Sequence, residues 1–327
     1  MTGSARALAA LQGLAIGDAL GMPTQLLSPD AIVERYGAIE GFRAAVHDHP
    51  IAAGLPAGSV TDDTEQALLL GRLLLETGGR VPAREWADRL AAWEDRMRAR
   101  GSLDLLGPST RAAIAAIRAG ADPADAGRTG TTNGAAMRIA PVGIATGSRD
   151  LAALVDLVAE ACRPTHDTGI AIAGAAAVAA AVSAGIDGAD RAAATEVAIA
   201  AAELGERRGH WIAGASVAAR IGWAVALTAH PDGAERLIAL VGTSLATQES
   251  VPAAFGILAL AGGDGWTACL AAANHGGDTD TIGAMAGAIA GATGSAWPAG
   301  AVQTVTTVNE LDLEPLVGGL LALRAAA

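Results

Sequence analysis

The chain has 327 residues, 51% of them hydrophobic, with 34 acidic and 22 basic side chains and a formal net charge of −12. That length can bury a large core, and the acidic balance argues against nucleic acid as the main ligand and against binding to an anionic membrane. Neither Cys162 nor Cys269 belongs to a CxxC pair, and the first ten residues show no signal-peptide pattern, so we expect a reduced, cytoplasmic protein.

Helix-forming residues dominate the composition. Alanine is the strongest helix former, and the alternating β-branched or aromatic runs typical of strands are nearly absent. The sequence therefore predicts an all-α protein in which 302–308 is the one stretch that leans towards a strand. No linker rich in proline, serine or charge divides the chain, so we expect residues 1–327 to form a single compact domain.

The first predicted helix covers residues 5–21 and contains Asp18, a lone acid in an apolar run between two glycines. Such a residue is more often a hydrogen-bonded structural carboxylate than a ligand. A loop-rich segment, 26–58, follows. The His-Asp-His run at 47–49 has poor spacing for a metal site, and we interpret it as a solvated loop.

An acidic cluster, Ser-Val-Thr-Asp-Asp-Thr-Glu, occupies residues 59–65 and opens a leucine-rich helix. Farther along, residues 127–143 begin with a polar, glycine-rich loop of the kind that wraps a small polar ligand with backbone N–H groups. No Gly-Lys-Ser/Thr follows, so this loop is not a P-loop. Arg138, in a mostly apolar context, is expected to pair with a buried acid. His166 is either a site residue or a satisfied cap histidine, and the pattern alone favours the cap.

Residues 169–186 are uncharged and about long enough to span a membrane. Because they are nearly all alanine and glycine, we expect a buried helix that packs closely on its neighbours. Trp211 and Trp223, twelve residues apart, are expected in the core. Three glycines at four-residue spacing are expected to allow close helix contact: Gly283, Gly287 and Gly291.

A second acidic cluster, Asn-His-Gly-Gly-Asp-Thr-Asp-Thr-Ile-Gly, occupies residues 274–283. Its glycines let the backbone turn tightly, and Asp280 is expected to cap the helix that follows. Neighbouring carboxylates repel each other. A chain that carries such repulsion twice, each time with flanking hydroxyls, is expected to bring both clusters around hard cations such as Mg²⁺ or Mn²⁺. The alternative is two acid-rich helix N-termini stabilised by helix dipoles.

Five segments in this order resemble the ADP-ribosylglycohydrolase family, which includes the hydrolase that reactivates dinitrogen reductase and the J1 crystallins. They are Gly-Asp-Ala-Leu-Gly at 17–21, Thr-Asp-Asp-Thr at 61–64, Asn-Gly-Ala-Ala-Met-Arg at 133–138, Thr-His at 165–166 and Gly-Asp-Thr-Asp-Thr at 277–281.

The resemblance implies a compact orthogonal bundle of helices around two Mg²⁺ or Mn²⁺ ions, which would hold a ribose diol and a bridging water. The implied metal ligands are Thr61, Asp62, Asp63, Asp278, Asp280 and Thr281. The implied catalytic residues are Asp62, Asp63, Asp104 and Asp280. The implied substrate-binding residues are Gln25, Asp104, Asn133, Gly134, His166, His275 and Gly276.

Two positions depart from the family pattern. Gln25 stands where many members carry a glutamate, and His275 stands where an apolar residue is expected. The resemblance thus implies hydrolysis of an N-glycosidic bond to ribose, in an ADP-ribosyl-arginine or a related protein-linked conjugate. The departures keep a nucleoside or other small ribosyl compound open as substrate. A non-catalytic, crystallin-like protein is the remaining reading, although all six implied metal positions are intact. The sequence does not reveal the oligomeric state.

Overall fold

The computed structural model describes residues 1–102 and 106–326, and those residues form α-helices and loops without a β-strand. The all-α prediction is therefore confirmed. The sixteen α-helices are α1 Gly3–Gly21, α2 Pro29–Tyr36, α3 Asp62–Thr77, α4 Ala83–Ala99, α5 Pro108–Arg118, α6 Ala140–Ala145, α7 Leu151–His166, α8 Gly169–Ile186, α9 Arg191–Gly205, α10 Val217–Leu227, α11 Gly233–Arg236, α12 Thr247–Leu260, α13 Gly265–His275, α14 Thr279–Ala292, α15 Ala299–Val308 and α16 Glu314–Ala326. The stretch 302–308, which leaned towards a strand, lies inside α15.

Helices α1 and α14 pack directly against each other, and glycine makes their contact possible. A Cβ added to Gly17 would lie 1.9 Å from the carbonyl oxygen of Gly283, and one added to Gly287 would lie 2.0 Å from that of Gly13. Real Cβ atoms essentially never come within 3.0 Å of another heavy atom. The predicted stripe, which also includes Gly291, is therefore confirmed, and we call Gly13, Gly17, Gly283 and Gly287 the glycine seam.

Helix α8 lies at the centre of the bundle. By length and composition alone it could cross a membrane, but every one of its residues is buried inside the protein. The hydroxyl of Thr168 caps its first turn by accepting a hydrogen bond from the amide of Ala171. The prediction of a buried helix at 169–186 is thus confirmed, and alanine and glycine allow its neighbours to approach on all sides.

The glycine seam determines where the candidate site residues on α1, α3 and α14 meet. Asp18 lies in the last turns of α1, and a Cβ on Gly21 would contact the backbone of Asp280 in the first turn of α14. Asp18 also accepts hydrogen bonds from the residues that open α3. One end of α1 and the beginnings of α3 and α14 therefore converge.

Two sequence-based expectations about exposure are wrong. Trp211 and Trp223 do not belong to the core, because 84% and 40% of their surfaces are exposed. Trp211 lies in the loop between α9 and α10, and the guanidinium of Arg220 lies over the Trp223 ring, 5.7 Å from its centroid. His49 is not solvated: only 2% of it is exposed.

Candidate active site

Asp18 fixes the beginning of α3. Its carboxylate is fully buried and accepts hydrogen bonds from the amide of Thr61 at 3.0 Å, the hydroxyl of Thr61 at 2.8 Å and the amide of Thr64 at 3.1 Å. Burial raises the pKa of Asp18 to about 6, and the hydrogen bonds from Thr61 and Thr64 oppose that shift. The geometry matches the structural carboxylate that the sequence favours at this position.

The two acidic clusters meet at Asp63. The Oδ2 atom of Asp63 accepts from the hydroxyl of Thr61 at 3.2 Å and from the hydroxyl of Thr281 at 3.4 Å. Thr281 lies on α14, 218 positions further along the chain. The other oxygen of Asp63, Oδ1, is buried and has no hydrogen-bond partner among the described residues.

Like charges surround this carboxylate. Burial raises the pKa of Asp63 well above its ordinary value, and four nearby aspartates raise it further: Asp280, Asp62, Asp18 and Asp278, in that order of effect. Burial also raises the pKa of Asp278, while hydrogen bonds from Asn133 and Thr281 lower it. The arrangement concentrates negative charge in a place from which water is largely excluded.

The buried guanidinium of Arg138 is linked to the Asp62 carboxylate through the side chain of Gln66. The Gln66 amide donates to Oδ2 of Asp62 at 2.8 Å, and Arg138 donates to the Gln66 carbonyl oxygen at 2.6 Å and to the Thr165 hydroxyl at 2.8 Å. Arg138 also lies over the Trp86 ring, 5.3 Å from its centroid. The expected ion pair with a buried acid is therefore wrong. Neutral oxygens take its hydrogen bonds, because Gln66 stands between it and the carboxylate. Burial lowers the pKa of Arg138 to about 10, so the group stays charged at neutral pH.

The start of α14 also differs from the prediction. The helix begins at Thr279 with Asp278 as its N-cap residue, and Asp280 lies in the first turn. The expectation that Asp280 is the cap is therefore wrong by two residues. The Asp278 carboxylate makes no capping hydrogen bond; it accepts one from the Asn133 side chain at 2.5 Å. Asn133 is held in turn by the Ser250 hydroxyl at 2.9 Å.

A cavity of about 210 Å³ opens above these carboxylates. Asp62, Asp278 and Asp280 line it as polar residues, and the 51% and 37% exposure of Leu26 and Leu245 places these two aliphatic side chains at its mouth. The described residues that line it are Gln25, Leu26, Ile51, Asp62, Leu106, Gly107, Pro108, Thr110, Arg111, Thr132, Asn133, Gly134, Met137, Leu245, Asp278, Asp280 and Thr281.

Seven of the sequence-derived site residues thus line one cavity: Gln25, Asp62, Asn133, Gly134, Asp278, Asp280 and Thr281. Thr61 and Asp63 do not line it; they are buried and joined to it by the hydrogen bonds described above. Asp104 lies outside the described residues.

Three further candidates lie outside the cavity wall. His166 is fully buried and hydrogen-bonds to Thr165 at 2.8 Å and to Thr132 at 3.0 Å, so it supports the loop that carries Thr132. The Nδ1 atom of His275 hydrogen-bonds to the carbonyl oxygen of Ala271 in the preceding helical turn. Gly276 adopts a φ of 76°, which favours glycine, and turns the chain against residues 27–29.

Sequence reasoning missed the apolar mouth and the role of His49. Leu26, Ile51 and Leu245 line the cavity but belong to no recognisable motif. Arg111 lies on the first turn of α5 and donates to the Leu106 carbonyl oxygen at 2.8 Å. His49 hydrogen-bonds through Nε2 to the backbone carbonyl of Gln25 at 3.0 Å. Only the burial of His49 reveals this role.

The donor set suits hard divalent cations, because it consists of carboxylate and hydroxyl oxygens and includes the unpartnered Oδ1 of Asp63. Among the described residues, however, no three histidine, cysteine, aspartate or glutamate side chains are already gathered as a metal site would hold them. Binding a cation would have to draw these side chains closer together.

Comparisons with known proteins agree with the sequence motifs. The family model described as ADP-ribosylglycohydrolase matches residues 2–326. An uncharacterised Escherichia coli protein, YegU, is 38% identical over 88% of this chain and 87% of its own length. An uncharacterised Archaeoglobus fulgidus protein is 35% identical over 88% of this chain and 87% of its own length.

A relative with a named activity covers less of the chain. The ADP-ribosyl-[dinitrogen reductase] glycohydrolase of Rhodospirillum rubrum is 32% identical over 43% of this chain and 45% of its own length. Among solved structures, a chain described as an ADP-ribosylglycohydrolase-related protein complex superimposes with a TM-score of 0.70 and 26% identity, covering 98% of both chains.

Proposed function

This chain belongs to the ADP-ribosylglycohydrolase family, and from that premise we propose that it hydrolyses an N-glycosidic bond to ribose with the help of two divalent cations, Mg²⁺ or Mn²⁺. The observation that carries the proposal is the hydrogen bond of 3.4 Å from Thr281 to Asp63. It joins the two acidic clusters directly beneath a cavity lined by Asp62, Asp278 and Asp280.

The residues that would hold the cations are Thr61, Asp62, Asp63, Asp278, Asp280 and Thr281. Bound there, divalent cations would supply Lewis acidity and neutralise the repulsion among the carboxylates. The protein prepares the position: Asp18 holds the Thr61 end of α3, Gln66 orients Asp62, and Asn133 orients Asp278.

The reaction breaks the bond between C1 of the ribose and the nitrogen of the leaving group. Water adds its oxygen to C1, one of its protons passes to a base, and the leaving nitrogen receives a proton. Positive charge develops on the sugar ring as the bond breaks. Asp62 and Asp280 line the cavity and are the candidates for accepting the proton of the water.

An ADP-ribosyl conjugate is the leading substrate. This choice rests on family membership and on the name of the Rhodospirillum rubrum relative, ADP-ribosyl-[dinitrogen reductase] glycohydrolase. Either a protein-linked arginine conjugate or a small-molecule conjugate fits the proposal.

A second substrate class, an uncharged nucleoside or similar riboside, is favoured by the mouth of the cavity. Leu26, Ile51 and Leu245 present aliphatic surface there, and Arg111 is the one basic side chain among the described residues that line the cavity. A diphosphate would meet little complementary charge from the protein, whereas a neutral base would bury apolar surface against these side chains.

One pair of assays separates these substrates. Purified protein is incubated with Mg²⁺ or Mn²⁺ and either ADP-ribosyl-arginine or a panel of nucleosides. Release of ADP-ribose supports the first class, and release of a free base with ribose supports the second.

Asp280→Ala is expected to abolish turnover and cation binding while the helical circular dichroism spectrum persists. Asp30→Ala, which removes an exposed acid from the first turn of α2, is the matched control. Full activity in Asp280→Ala would contradict the site assignment. Absence of divalent-cation binding by the wild-type protein in calorimetry would support the non-catalytic reading.

A further inference from the structure

The beginning of α5 forms part of the cavity wall, although it belongs to none of the five sequence motifs. Gly107, Pro108, Thr110 and Arg111 all line the cavity. Gly107 is the N-cap residue of α5, and no side chain caps the helix. Because Pro108 has no N–H, the free amides of this helix end are those of Ser109 and Thr110, which have no acceptor among the described residues. An uncapped helix N-terminus carries a partial positive charge.

Thr110 adds an unpartnered hydroxyl group at this helix end. Only 3% of the residue is exposed, and its Oγ1 atom makes no hydrogen bond to any described residue. This oxygen keeps some accessible surface, unlike the enclosed Oδ1 atom of Asp63. It lies beside Gly134, because a Cβ added to that glycine would be 3.6 Å from it, and both residues line the cavity. The hydroxyl of Thr110 is therefore open to the cavity and available to a ligand.

Arg111 places a positive charge next to the same turn. Its Nε and Nη2 atoms donate to the carbonyl oxygen of Leu106 at 3.2 Å and 2.8 Å, which holds the guanidinium in place. No carboxylate of the described residues forms an ion pair with it. The other arginine of α5, Arg118, pairs with Asp95 at 2.8 Å. The arginine in the cavity wall thus keeps a charge that the surrounding protein does not neutralise.

These groups together suit a phosphate. Helix N-terminal amides, a hydroxyl group and a guanidinium are the donors that proteins commonly use for phosphate oxygens. Their position also fits a sugar phosphate. The side chain of Asn133 donates to Asp278, and the next residue, Gly134, adjoins the hydroxyl of Thr110. A ribose held at the aspartates would therefore extend towards α5.

From this geometry we propose that the first turn of α5 binds a phosphate on the 5′ oxygen of the ribose, with Thr110 and Arg111 as specificity residues. The inference rests on the proposed function and narrows its substrate to a ribosyl compound that carries this phosphate. An ADP-ribosyl conjugate and a nucleoside 5′-monophosphate both meet that requirement, whereas an unphosphorylated nucleoside does not. One phosphate matches the single guanidinium, and a second phosphate would meet no other basic side chain among the described lining residues.

The first test is calorimetric binding of ribose 5-phosphate and of ribose in the presence of Mg²⁺. The wild-type protein is expected to bind ribose 5-phosphate at least about tenfold more tightly, because hydrogen bonds to a charged group are among the stronger ones. Thr110→Val and Arg111→Gln are each expected to remove most of this preference and to leave the Kd for ribose unchanged. Thr110→Ser, which restores the hydroxyl, is expected to keep the preference.

Two variants serve as matched controls for these substitutions. Thr307→Val changes an exposed threonine of α15, and Arg96→Gln removes an exposed arginine of α4. Neither is expected to alter the preference for ribose 5-phosphate. Thermal melting checks that every variant remains folded. An equal loss of preference in the controls would show that general charge or stability, rather than α5, is responsible, and would overturn the inference.

Turnover assays distinguish the two sources of the phosphate. ADP-ribosyl-arginine and a nucleoside 5′-monophosphate are each compared with the unphosphorylated nucleoside. Thr110→Val is expected to raise KM about tenfold for the phosphorylated substrate that the wild-type protein cleaves, with a smaller change in kcat. The phosphorylated substrate with the higher kcat/KM identifies the source, and a higher kcat/KM for the unphosphorylated nucleoside would overturn the inference.

The two levels of the proposal fail differently. Equal affinity of the wild-type protein for ribose and ribose 5-phosphate would overturn the phosphate site even if the protein is an active hydrolase. A preference that survives in both Thr110→Val and Arg111→Gln would overturn the assignment to α5. Absence of turnover, with the preference intact and sensitive to these substitutions, would contradict the proposed function and support the phosphate site.

Discussion

The glycine seam makes a direct prediction about stability and about the site. In Gly17→Ala the new methyl group would lie 1.9 Å from the carbonyl oxygen and 2.3 Å from the carbonyl carbon of Gly283. Both are backbone atoms, so no side chain can rotate away. Helices α1 and α14 must separate until the contact exceeds 3.0 Å, the distance below which real Cβ atoms are essentially never found.

The expected cost combines two opposite effects. Alanine in place of glycine in a helix interior gains about 1 kcal/mol of helix propensity. Overpacking a well-packed core costs about 1–3 kcal/mol, and a clash between two backbones belongs at or above the top of that range. We therefore expect Gly17→Ala to lower the free energy of unfolding by at least about 2 kcal/mol.

The assay is urea denaturation followed by circular dichroism, with Gly318→Ala as the matched control. Gly318 lies inside α16, and a Cβ there would meet no atom within 4 Å. That variant is expected to be slightly more stable than the wild-type protein. Because Asp18 follows Gly17 directly, Gly17→Ala is also expected to weaken Mg²⁺ or Mn²⁺ binding in calorimetry. Equal stability of Gly17→Ala and wild-type protein would refute the packing argument.

Three further predictions follow from the site. Asp63→Asn is expected to stabilise the cation-free protein by about 1 kcal/mol, because it removes a buried acid that four neighbouring aspartates repel. The same variant is expected to lose any stabilisation by added Mg²⁺. Thermal melts with and without Mg²⁺ test both expectations. Arg138→Met is expected to lower the free energy of unfolding in urea by about 1–3 kcal/mol, because it removes the donor to the buried carbonyl oxygen of Gln66 and one hydrogen bond to Thr165; unchanged stability would contradict this. Burial holds the pKa of His166 well below its usual value of 6.5, so only the unfolded chain gains that proton as the pH falls below about 6.5. The stability of the wild-type protein relative to His166→Gln is therefore expected to fall by up to about 1.4 kcal/mol per pH unit between pH 6.5 and 5, and a constant difference would contradict the shift.

The features that sequence predicted well depend on local pattern. Alanine-rich composition indicates helices, and glycine at four-residue spacing indicates close helix packing, as at Gly283 and Gly287. The acidic motifs also name most of the residues of the cavity floor, because oxygen donors next to helix starts have a distinctive pattern. Whether these residues hold cations stays a prediction.

The features that sequence missed depend on contacts between distant segments. His49 lies in a segment that reads as a polar loop, and its burial arises only when that segment folds over Gln25. Arg138 is predictable as buried, but the choice of Gln66 over a carboxylate depends on how α3 packs against the segment that precedes α6. Trp211 and Trp223 were expected in the core because of their spacing, but spacing alone does not show which residues other segments of the chain will cover.

The position of Arg138 bears on the order of assembly. Its guanidinium is buried, and no carboxylate within ion-pair distance among the described residues neutralises it. The interior therefore contains a permanent positive charge, which Gln66 separates from the carboxylate of Asp62. It offsets part of the mutual repulsion among the aspartates without a bound cation, so the polypeptide is expected to fold before it takes up the divalent cations proposed above.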